Sequence, residues 1–386
     1  MSQIETANGA RPGPESVGMS TVADEARAIA DAWSAPGSPP SWWLTAALLS
    51  AVAEDEVLQD IGAAIPPDRR PALLLSAALT AVSTAGADPV RRYFPVPGGT
   101  QPPDDGGFRP ALAALVRDRR ERIAELCARH RYQMNEVTRS IDVLPVLGAV
   151  AAETGRPLAL VDLGTGAGFG LRPDRYGYEY TLPDGTVRAV GSGPLTVRCT
   201  VRGTAVPPLP DGLSVTARVG VDVEPSDLTD PATAAWLAAC VPPEVGAVTR
   251  FAAAVDLARA EPAEIVRGDL LEVLPAVVSR LPADTAICLV DTYVHVFLGP
   301  ERLARFRELV TGLGRDLDWI SVDPLVPLGP EATTTVQGLD VPPHWLAENR
   351  DGGVFGVIGR VSVRGGVASA QLLGRAHPGG SWLEWG

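Results

Sequence analysis

Five short apolar runs, separated by helical stretches or polar turns, dominate the sequence after Pro157. Each run has the length of a buried strand. The runs are residues 158–161, 217–223, 264–266, 285–290 and 317–322, and the helical stretches between them are 232–237, 248–260 and 301–313. Strands alternating with helices predict a parallel sheet whose connections cross its faces. No other feature of the chain constrains the fold as much.

The sequence outside these strands divides the chain further. Residues 21–155 show helical spacing without a strand pattern, which predicts an all-helical cap domain ahead of an α/β domain at 156–386. Residues 1–20 are rich in Gly, Ser, Pro and Glu and are predicted to be disordered. Near the other end, runs at 354–363 and 367–373 flank Arg364-Gly365-Gly366, which predicts an antiparallel hairpin at the edge of the sheet.

Charge and composition exclude several classes of function. The 386 residues carry a net charge of −13, and every one of the 33 basic residues is an arginine. Chemistry that requires a lysine amine, such as a pyridoxal Schiff base or a P-loop phosphate site, is therefore excluded. A chain this acidic is also not expected to bind nucleic acid.

Cysteine, histidine and hydropathy patterns indicate where the protein works. The four cysteines form no C-x-x-C pair, and the four histidines never have the i, i+4 spacing of a helical zinc site. We therefore expect a reduced cytoplasmic protein without a metal site. The longest largely apolar run, residues 72–82, is too short to span a bilayer, so no membrane partner is expected.

A glycine-rich loop follows the first predicted strand and carries the strongest functional signal. The strand ends at Asp162, and Gly164, Gly166 and Gly168 follow in the pattern G-x-G-x-G. Alternate glycines let a ligand approach the backbone closely. The spacing differs from the G-x-G-x-x-G of dinucleotide-binding proteins. The alternative explanation is a tight turn between a strand and a helix.

This loop and three later segments resemble, in order, the motifs of Rossmann-like class I S-adenosylmethionine methyltransferases. The later segments are 219–225, 266–270 and 287–293. The resemblance implies that Asp162 and the three glycines bind the cofactor, that Asp222 holds its ribose hydroxyls, and that Asp269, beside Leu270, faces its adenine amino group. One departure is the distance from Gly168 to Asp222, which predicts an insertion at about 172–218.

The chain from about residue 40 to 386 also resembles a bacterial family of unknown function. The segments that carry this resemblance are 134–140, 174–178, 221–231, 267–269 and 382–385. In that family the glycine loop more often has Ala-Ser where this chain has Thr165-Gly166. Some members are similar to azetidine-forming enzymes that cyclise S-adenosylmethionine, which makes cyclisation an alternative to methyl transfer.

Several polar residues are candidates for the chemistry. Asn135 falls within a helix predicted at 133–153, and with Glu136 and Arg139 it is expected to bind the substrate or the methionyl end of the cofactor. The alternative is a buried network in which Glu136 pairs with Arg139.

The remaining candidates are aromatic or titratable. Tyr176 and Tyr178 are expected on one strand face, lining the site or covering the insertion. Tyr293 is a further candidate for substrate binding. Asp291 and His295 follow the fourth strand and are candidate general bases, although His295 also fits a core position.

Three functions remain open at this point. The first is an S-adenosylmethionine-dependent transferase acting on a small molecule, in which the helical domain covers the cofactor. The second is a cyclase or lyase that releases methylthioadenosine. The third is a cofactor-binding module without catalysis.

Overall fold

A computed structural model describes residues 21–34, 42–95, 101–243, 245–325 and 334–386. It shows a mixed α/β protein built on one large, mostly parallel sheet. The strands are β1 Leu158–Leu163, β2 Gly177–Thr181, β3 Val187–Val190, β4 Thr196–Arg202, β5 Val215–Asp222, β6 Glu264–Arg267, β7 Ala286–Thr292, β8 Leu317–Asp323, β9 Thr335–Val336, β10 Leu339–Asp340, β11 Gly356–Arg364, β12 Val367–Ala376 and β13 Trp382–Trp385. The predicted leader at 1–20 lies outside the described residues.

Eleven α-helices occur in the described ranges. They are α1 Val22–Ser34, α2 Trp42–Glu54, α3 Glu56–Ala63, α4 Pro71–Ala85, α5 Phe108–Arg129, α6 Ser140–Thr154, α7 Pro231–Ala239, α8 Val245–Ala260, α9 Leu270–Ser279, α10 His295–Gly312 and α11 Pro343–Arg350. Asp55 separates α2 from α3 because its carboxylate caps the amides of Val57 and Leu58. The helical spacing of residues 21–155 corresponds to helices α1 to α6, which occupy most of the described residues of that region.

The order of the strands places the first strand at the centre of a reversal. The sheet runs β3-β2-β4-β13-β12-β11-β8-β7-β1-β5-β6. β1 pairs in parallel with β5 on one side and with β7 on the other. The chain therefore builds outward from β1 through β5 to β6, and then returns to the other side of β1 with β7 and β8. Such a reversal opens a crevice at the carboxyl ends of the strands, where α/β proteins bind their ligands.

The predicted C-terminal hairpin forms, but it does not lie at an edge. β11 and β12 pair antiparallel through the turn at Gly365 and Gly366. β11 also pairs with β8, and β12 pairs with β13. The inserted strands β2, β3 and β4 then continue the sheet because β13 pairs in parallel with β4. The expectation of an edge hairpin was wrong because the insertion at 172–218 supplies the outer strands.

Helices cover both faces of the sheet. One face carries α9 and α10, with Leu274, Phe306 and Trp319 in its core. The opposite face packs on α6 and on the helical region, in a continuous core that includes Leu144 and Val290. α6 contacts β7, β8, β11 and β4. This helix therefore packs on the sheet, although the domain boundary predicted at 155 assigns it to the helical domain.

The segment around Asn135 is not helical. The prediction of a helix at 133–153 was wrong over its first part, because α6 begins at Ser140 and residues 131–136 form an open segment. Glu136 caps a short 3-10 turn at Val137–Arg139 by accepting a hydrogen bond from the Thr138 amide. The preceding polar residues bond to distant parts of the chain instead of to a helix, as described below.

Hydropathy along the helices bears on the membrane prediction. Among the described residues, no helix combines the length and apolar character needed to cross a bilayer.

Candidate functional site

A polar cavity lies at the carboxyl ends of β1 and β7, where the strand order reverses. Its volume is about 70 Å³. A water molecule needs about 10–15 Å³ on this measure, so the cavity holds a group of roughly five heavy atoms. Its walls come from β1 and the glycine loop, from β7, and from the segment before α6; the polar members are Asn135, Glu136, Arg139, Ser140, Asp162, Thr165 and Thr292.

The glycine loop has a backbone that only glycine adopts readily. Gly164, Gly166 and Gly168 have φ values of 68°, 54° and 75°. A Cβ atom at Gly164 would approach the Val294 side chain to 2.8 Å, and one at Gly166 would collide with the Asn135 amide. Local structure alone thus accounts for the glycines at 164 and 166. The functional argument therefore depends on the polar groups that surround the loop.

Asp222 organises the loop from the end of β5. Its Oδ2 accepts a hydrogen bond of 2.8 Å from the Gly166 amide, and its Oδ1 accepts one of 2.8 Å from the Glu224 amide. A carboxylate has about four acceptor positions, so two of them stay available. Asp222 is partly exposed beside the open end of the crevice. It can therefore fix the loop and accept hydroxyl groups of a ligand at the same time.

Residues 131–136 form a strap that lies across the glycine loop. The Asn135 Oδ1 accepts a hydrogen bond of 2.9 Å from the Ala167 amide. The Ser226 hydroxyl donates to Gln133 Oε1 at 2.7 Å, and the Ser226 amide donates to the Gly166 carbonyl. The Trp236 indole N–H donates to the Arg131 carbonyl. The strap is thus connected both to the loop and to the chain that follows β5.

Arg139 has no carboxylate partner among the described residues. Its Nε donates to the Pro378 carbonyl at 3.3 Å, and its guanidinium lies 4.2 Å from the centre of the Tyr293 ring. The alternative of a Glu136–Arg139 pair is not seen, since no ion pair within 4.0 Å joins them and Glu136 instead accepts a hydrogen bond from the Thr138 amide. One of the Arg139 Nη atoms also lies 3.5 Å from the Met134 sulfur, which is a weak acceptor. The guanidinium therefore presents a positive charge to the cavity that can bind a carboxylate.

Buried acids give the site its electrostatic character. Burial raises the pKa of Asp162 to about 7, helped by the charges of Asp222 and Asp291 and opposed by a 2.6 Å hydrogen bond from Thr165. Burial also raises the pKa of Asp142, in the first turn of α6, well above its usual range, although the charge of Arg139 opposes this. Both Asp142 oxygens are buried without a hydrogen-bond partner. The surroundings of Asp142 therefore favour its neutral form.

The two candidate tyrosines, Tyr176 and Tyr178, stabilise the start of the inserted segment. Tyr176 donates its hydroxyl to the Phe169 carbonyl at 2.9 Å, and Tyr178 donates to the Pro173 carbonyl at 2.7 Å. Both side chains are buried, and neither lines the cavity. Their contacts match the alternative in which the tyrosines cover the insertion. Tyr180 acts in the same way by donating to the Ile141 carbonyl.

Asp269 and Leu270 begin α9, beyond the end of β6. Asp269 caps this helix by accepting a 2.9 Å hydrogen bond from the Leu271 amide, and its other oxygen pairs with Arg302 at 2.5 Å. Desolvation acts to raise the pKa of Asp269, but these two contacts together outweigh it and lower the pKa. Leu270, the first residue of α9, packs in the core on that face of the sheet. Both residues thus have structural partners, and neither lines the cavity.

Asp291 and His295 lie on the other side of the sheet from the cavity. Val290 and Thr292 line the cavity, so Asp291 between them points to the face that carries Trp319. The Trp319 indole donates to Asp291 Oδ2. His295 Nε2 is 3.2 Å from Asp291 Oδ1 and 3.5 Å from Asp323 Oδ2. The structure therefore brings the two predicted bases together but separates them from Asn135.

The two carboxyl groups of this cluster differ in pKa. Burial favours the neutral form of Asp291, but the neighbouring side chains of His295, Asp323 and Trp319 outweigh it, so the pKa of Asp291 is lowered. Burial and the neighbouring Asp291 raise the pKa of Asp323 well above its usual range. Two buried carboxyl groups this close do not ionise independently.

The sequence did not identify two residues that contribute to these clusters, Asp323 and Gln133. Asp323 is the last residue of β8, and Asp291 lies near the end of the neighbouring strand β7. An acid at the end of a strand was the sequence signal that could have identified Asp323. No sequence pattern indicated Gln133, because its partner Ser226 follows a different strand.

Tyr293, a predicted substrate-binding residue, has a φ of 61°, a strained value for a side chain of this size.

A second and larger cavity, of about 760 Å³, lies between α4, α5 and α7. Trp236 and several alanines line it, and its charged residues include Arg119 and Asp88, whose side chains are 3.9 Å apart. It lies away from the strand ends. The cavity above β1 and β7 is therefore the better candidate for chemistry.

Fold and site together define a mixed α/β protein with a polar cavity at the strand reversal. The chain belongs to the family described as "Uncharacterized protein conserved in bacteria (DUF2332)", whose model matches residues 23–385. This finding supports the predicted membership of a bacterial family of unknown function. No curated protein matches the chain.

Proposed function

We propose that this protein binds S-adenosylmethionine at the cavity above β1 and β7 and transfers a group from it to a small molecule. The observation that carries the proposal is the position of the cavity. The cavity lies where the strand order of the sheet reverses, directly behind the glycine loop. Asp222, at the end of the neighbouring strand β5, lies beside that loop. Ligands of α/β proteins are bound at such a point.

The residues around the cavity fit the amino-acid end of this cofactor. Arg139 is free to bind a carboxylate, while Glu136 and Asp162 supply acceptors for an ammonium group. The cavity holds roughly five heavy atoms, which is the size of a carboxylate with its α-carbon and amine. The adenosine part would extend along the open crevice, where Asp222 keeps two acceptor positions for ribose hydroxyls.

The bound cofactor would supply an electrophilic carbon next to a positively charged sulfur. The protein would contribute position, because an aligned nucleophile reacts far faster than a free one. The strap at 131–136 would hold the glycine loop in place and keep water from the methionyl end. The Tyr293 ring, already packed on Arg139, would support the guanidinium that orients the carboxylate.

The small volume of the cavity favours cyclisation as a second candidate. A second substrate does not fit beside a methionyl group in about 70 Å³. In cyclisation the α-amine attacks the γ-carbon, the bond from that carbon to sulfur breaks, and its electron pair leaves with methylthioadenosine. The amine becomes available for this attack when the bound ammonium group first gives a proton to a nearby acceptor, Glu136 or Asp162.

Product analysis separates these functions. The full chain is incubated with S-adenosylmethionine alone and then with pooled small-molecule acceptors. Methylthioadenosine formed without an acceptor supports cyclisation or lyase chemistry, and adenosylhomocysteine formed only with an acceptor supports methyl transfer. Binding without any product supports a non-catalytic module, and the absence of binding by calorimetry would refute all three.

A matched pair of glycine variants controls for folding. Gly166→Ala should abolish binding because its Cβ displaces the Asn135 amide. Gly314 has a φ of 69° and no atom within 4 Å of an added Cβ. Gly314→Ala therefore carries a similar backbone strain, of about 1–2 kcal/mol, without touching the site. It should bind S-adenosylmethionine as the wild type does.

A further inference from the structure

The cluster of Asp291, His295 and Asp323 has the composition of a metal site. One ligand atom from each residue lies within 4.8 Å of the other two. The side chains are 1%, 6% and 3% exposed. A buried imidazole with two carboxylates is a ligand set that divalent transition metals accept.

The facing atoms lack hydrogen bonds. Asp291 Oδ1, His295 Nε2 and Asp323 Oδ2 are all buried without a hydrogen-bond partner. The other oxygens are satisfied, since Trp319 donates to Asp291 Oδ2 and the His295 amide donates to Asp323 Oδ1 at 2.9 Å. Buried polar atoms left without partners in this way call for an unseen ligand. Here the three unsatisfied atoms point at one another.

The distances suit a shared cation. His295 Nε2 lies 3.2 Å from one carboxylate oxygen and 3.5 Å from the other. A tetrahedral metal with bonds of about 2.0–2.1 Å places its ligands roughly 3.3–3.4 Å apart. A dication would also balance the two carboxylate charges with a neutral imidazole. The contacts from Trp319 and from the His295 amide would then orient the two carboxylates.

We propose that Asp291, His295 and Asp323 bind one first-row divalent cation, such as Mn²⁺ or Zn²⁺, which joins the ends of β7 and β8 to the start of α10. The site lies on the opposite face of the sheet from the cavity. Its role is therefore to hold the ends of β7 and β8 together behind the cavity. This inference does not depend on the proposed function.

Metal binding is tested on the full chain, free of any affinity tag and stripped with a chelator. Co²⁺ serves as the probe because its visible absorption reports coordination. We expect one equivalent of Co²⁺ per chain, absorption bands typical of a low-coordinate nitrogen and oxygen site, and a higher midpoint of thermal unfolding with metal. Elemental analysis of the protein before chelation identifies the native cation.

Two variants and a control assign the ligands. His295→Gln and Asp323→Asn should each weaken Co²⁺ binding by at least tenfold and remove the absorption bands. His377→Gln, which alters a second buried histidine, should retain both. If a variant does not fold, the stoichiometry and spectrum of the wild type still decide whether the chain binds one cation. Absence of a stoichiometric Co²⁺ complex in the wild type, or undiminished binding in both variants, overturns the proposal in favour of an aspartate pair that shares a proton beside His295.

Discussion

The side-chain oxygen of Asn135 accepts a hydrogen bond of 2.9 Å from the amide of Ala167, and it occupies the space that a Cβ at residue 166 would need. One amide group thus connects the strap before α6 to the glycine loop after β1. The shape of the loop depends on a residue that lies outside the loop sequence.

Asn135→Ala should loosen the glycine loop. The Ala167 amide loses its partner, which costs about 1–3 kcal/mol of unfolding free energy. We expect the affinity for S-adenosylmethionine to fall by about tenfold or more, as measured by calorimetry. Asn349→Ala, at a partly buried amide in the last turn of α11, is the control and should leave the affinity unchanged. Equal affinities in wild type and Asn135→Ala would show that the strap does not shape the site.

Substitutions at residues 135 and 166 should have non-additive effects on the stability of the protein. Because the Asn135 amide is what an added Cβ at residue 166 would strike, Asn135→Ala should partly relieve Gly166→Ala. In urea unfolding, the double variant should then lose less free energy of unfolding than the two single variants lose in total. Strictly additive losses would mean that the steric contact is not what excludes alanine at residue 166.

Arg139→Gln should affect only ligands that carry a carboxylate. A charge-assisted hydrogen bond of this kind contributes about 1.5–3 kcal/mol, so the affinity for S-adenosylmethionine should fall roughly ten- to hundredfold. Methylthioadenosine lacks the amino-acid end and should bind both proteins equally. Arg188→Gln, at a half-exposed arginine of β3, is the charge control. A parallel loss of affinity for both ligands would place Arg139 outside the methionyl site.

The raised pKa of Asp162 predicts that ligand binding depends on pH. Burial raises this pKa to about 7 in the free protein. A cationic ligand beside Asp162 binds the ionised form and lowers that pKa. Affinity is therefore at its plateau above pH 7 and should fall by up to tenfold per pH unit below it. Asp162→Asn should remove this dependence in calorimetric titrations between pH 5.5 and 8. An identical pH profile in the variant would exclude Asp162 as its source.

Tyr176→Phe should destabilise the protein without slowing turnover. The Phe169 carbonyl loses its donor, which lowers the free energy of unfolding by about 1–2 kcal/mol. Urea unfolding measures this loss, and the product assay measures turnover. Tyr178→Phe should behave in the same way. A hundredfold loss of turnover at unchanged stability would instead identify Tyr176 as catalytic.

The sequence predicted those features that depend on neighbours along the chain. The β1 strand, the turn of glycines and the C-terminal hairpin all follow from local patterns. The conformation of Asn135 does not, because its segment accepts hydrogen bonds from the Ala167 amide and the Ser226 hydroxyl, which are remote in sequence. Asp323 meets Asp291 only because β8 lies beside β7. Strand order, and thus every contact between strand ends, depends on the packing of the whole sheet.

The parallel pairing of β13 with β4 governs when the sheet can be completed. Strands β2, β3 and β4 leave the ribosome early, yet they reach the central strands only through Trp382, Leu383 and Glu384 of β13. During synthesis the inserted strands must wait with an unpaired edge, which is a template for wrong pairing with other chains. We therefore expect the insertion to be exposed to wrong pairing until residues 382–384 have been synthesised.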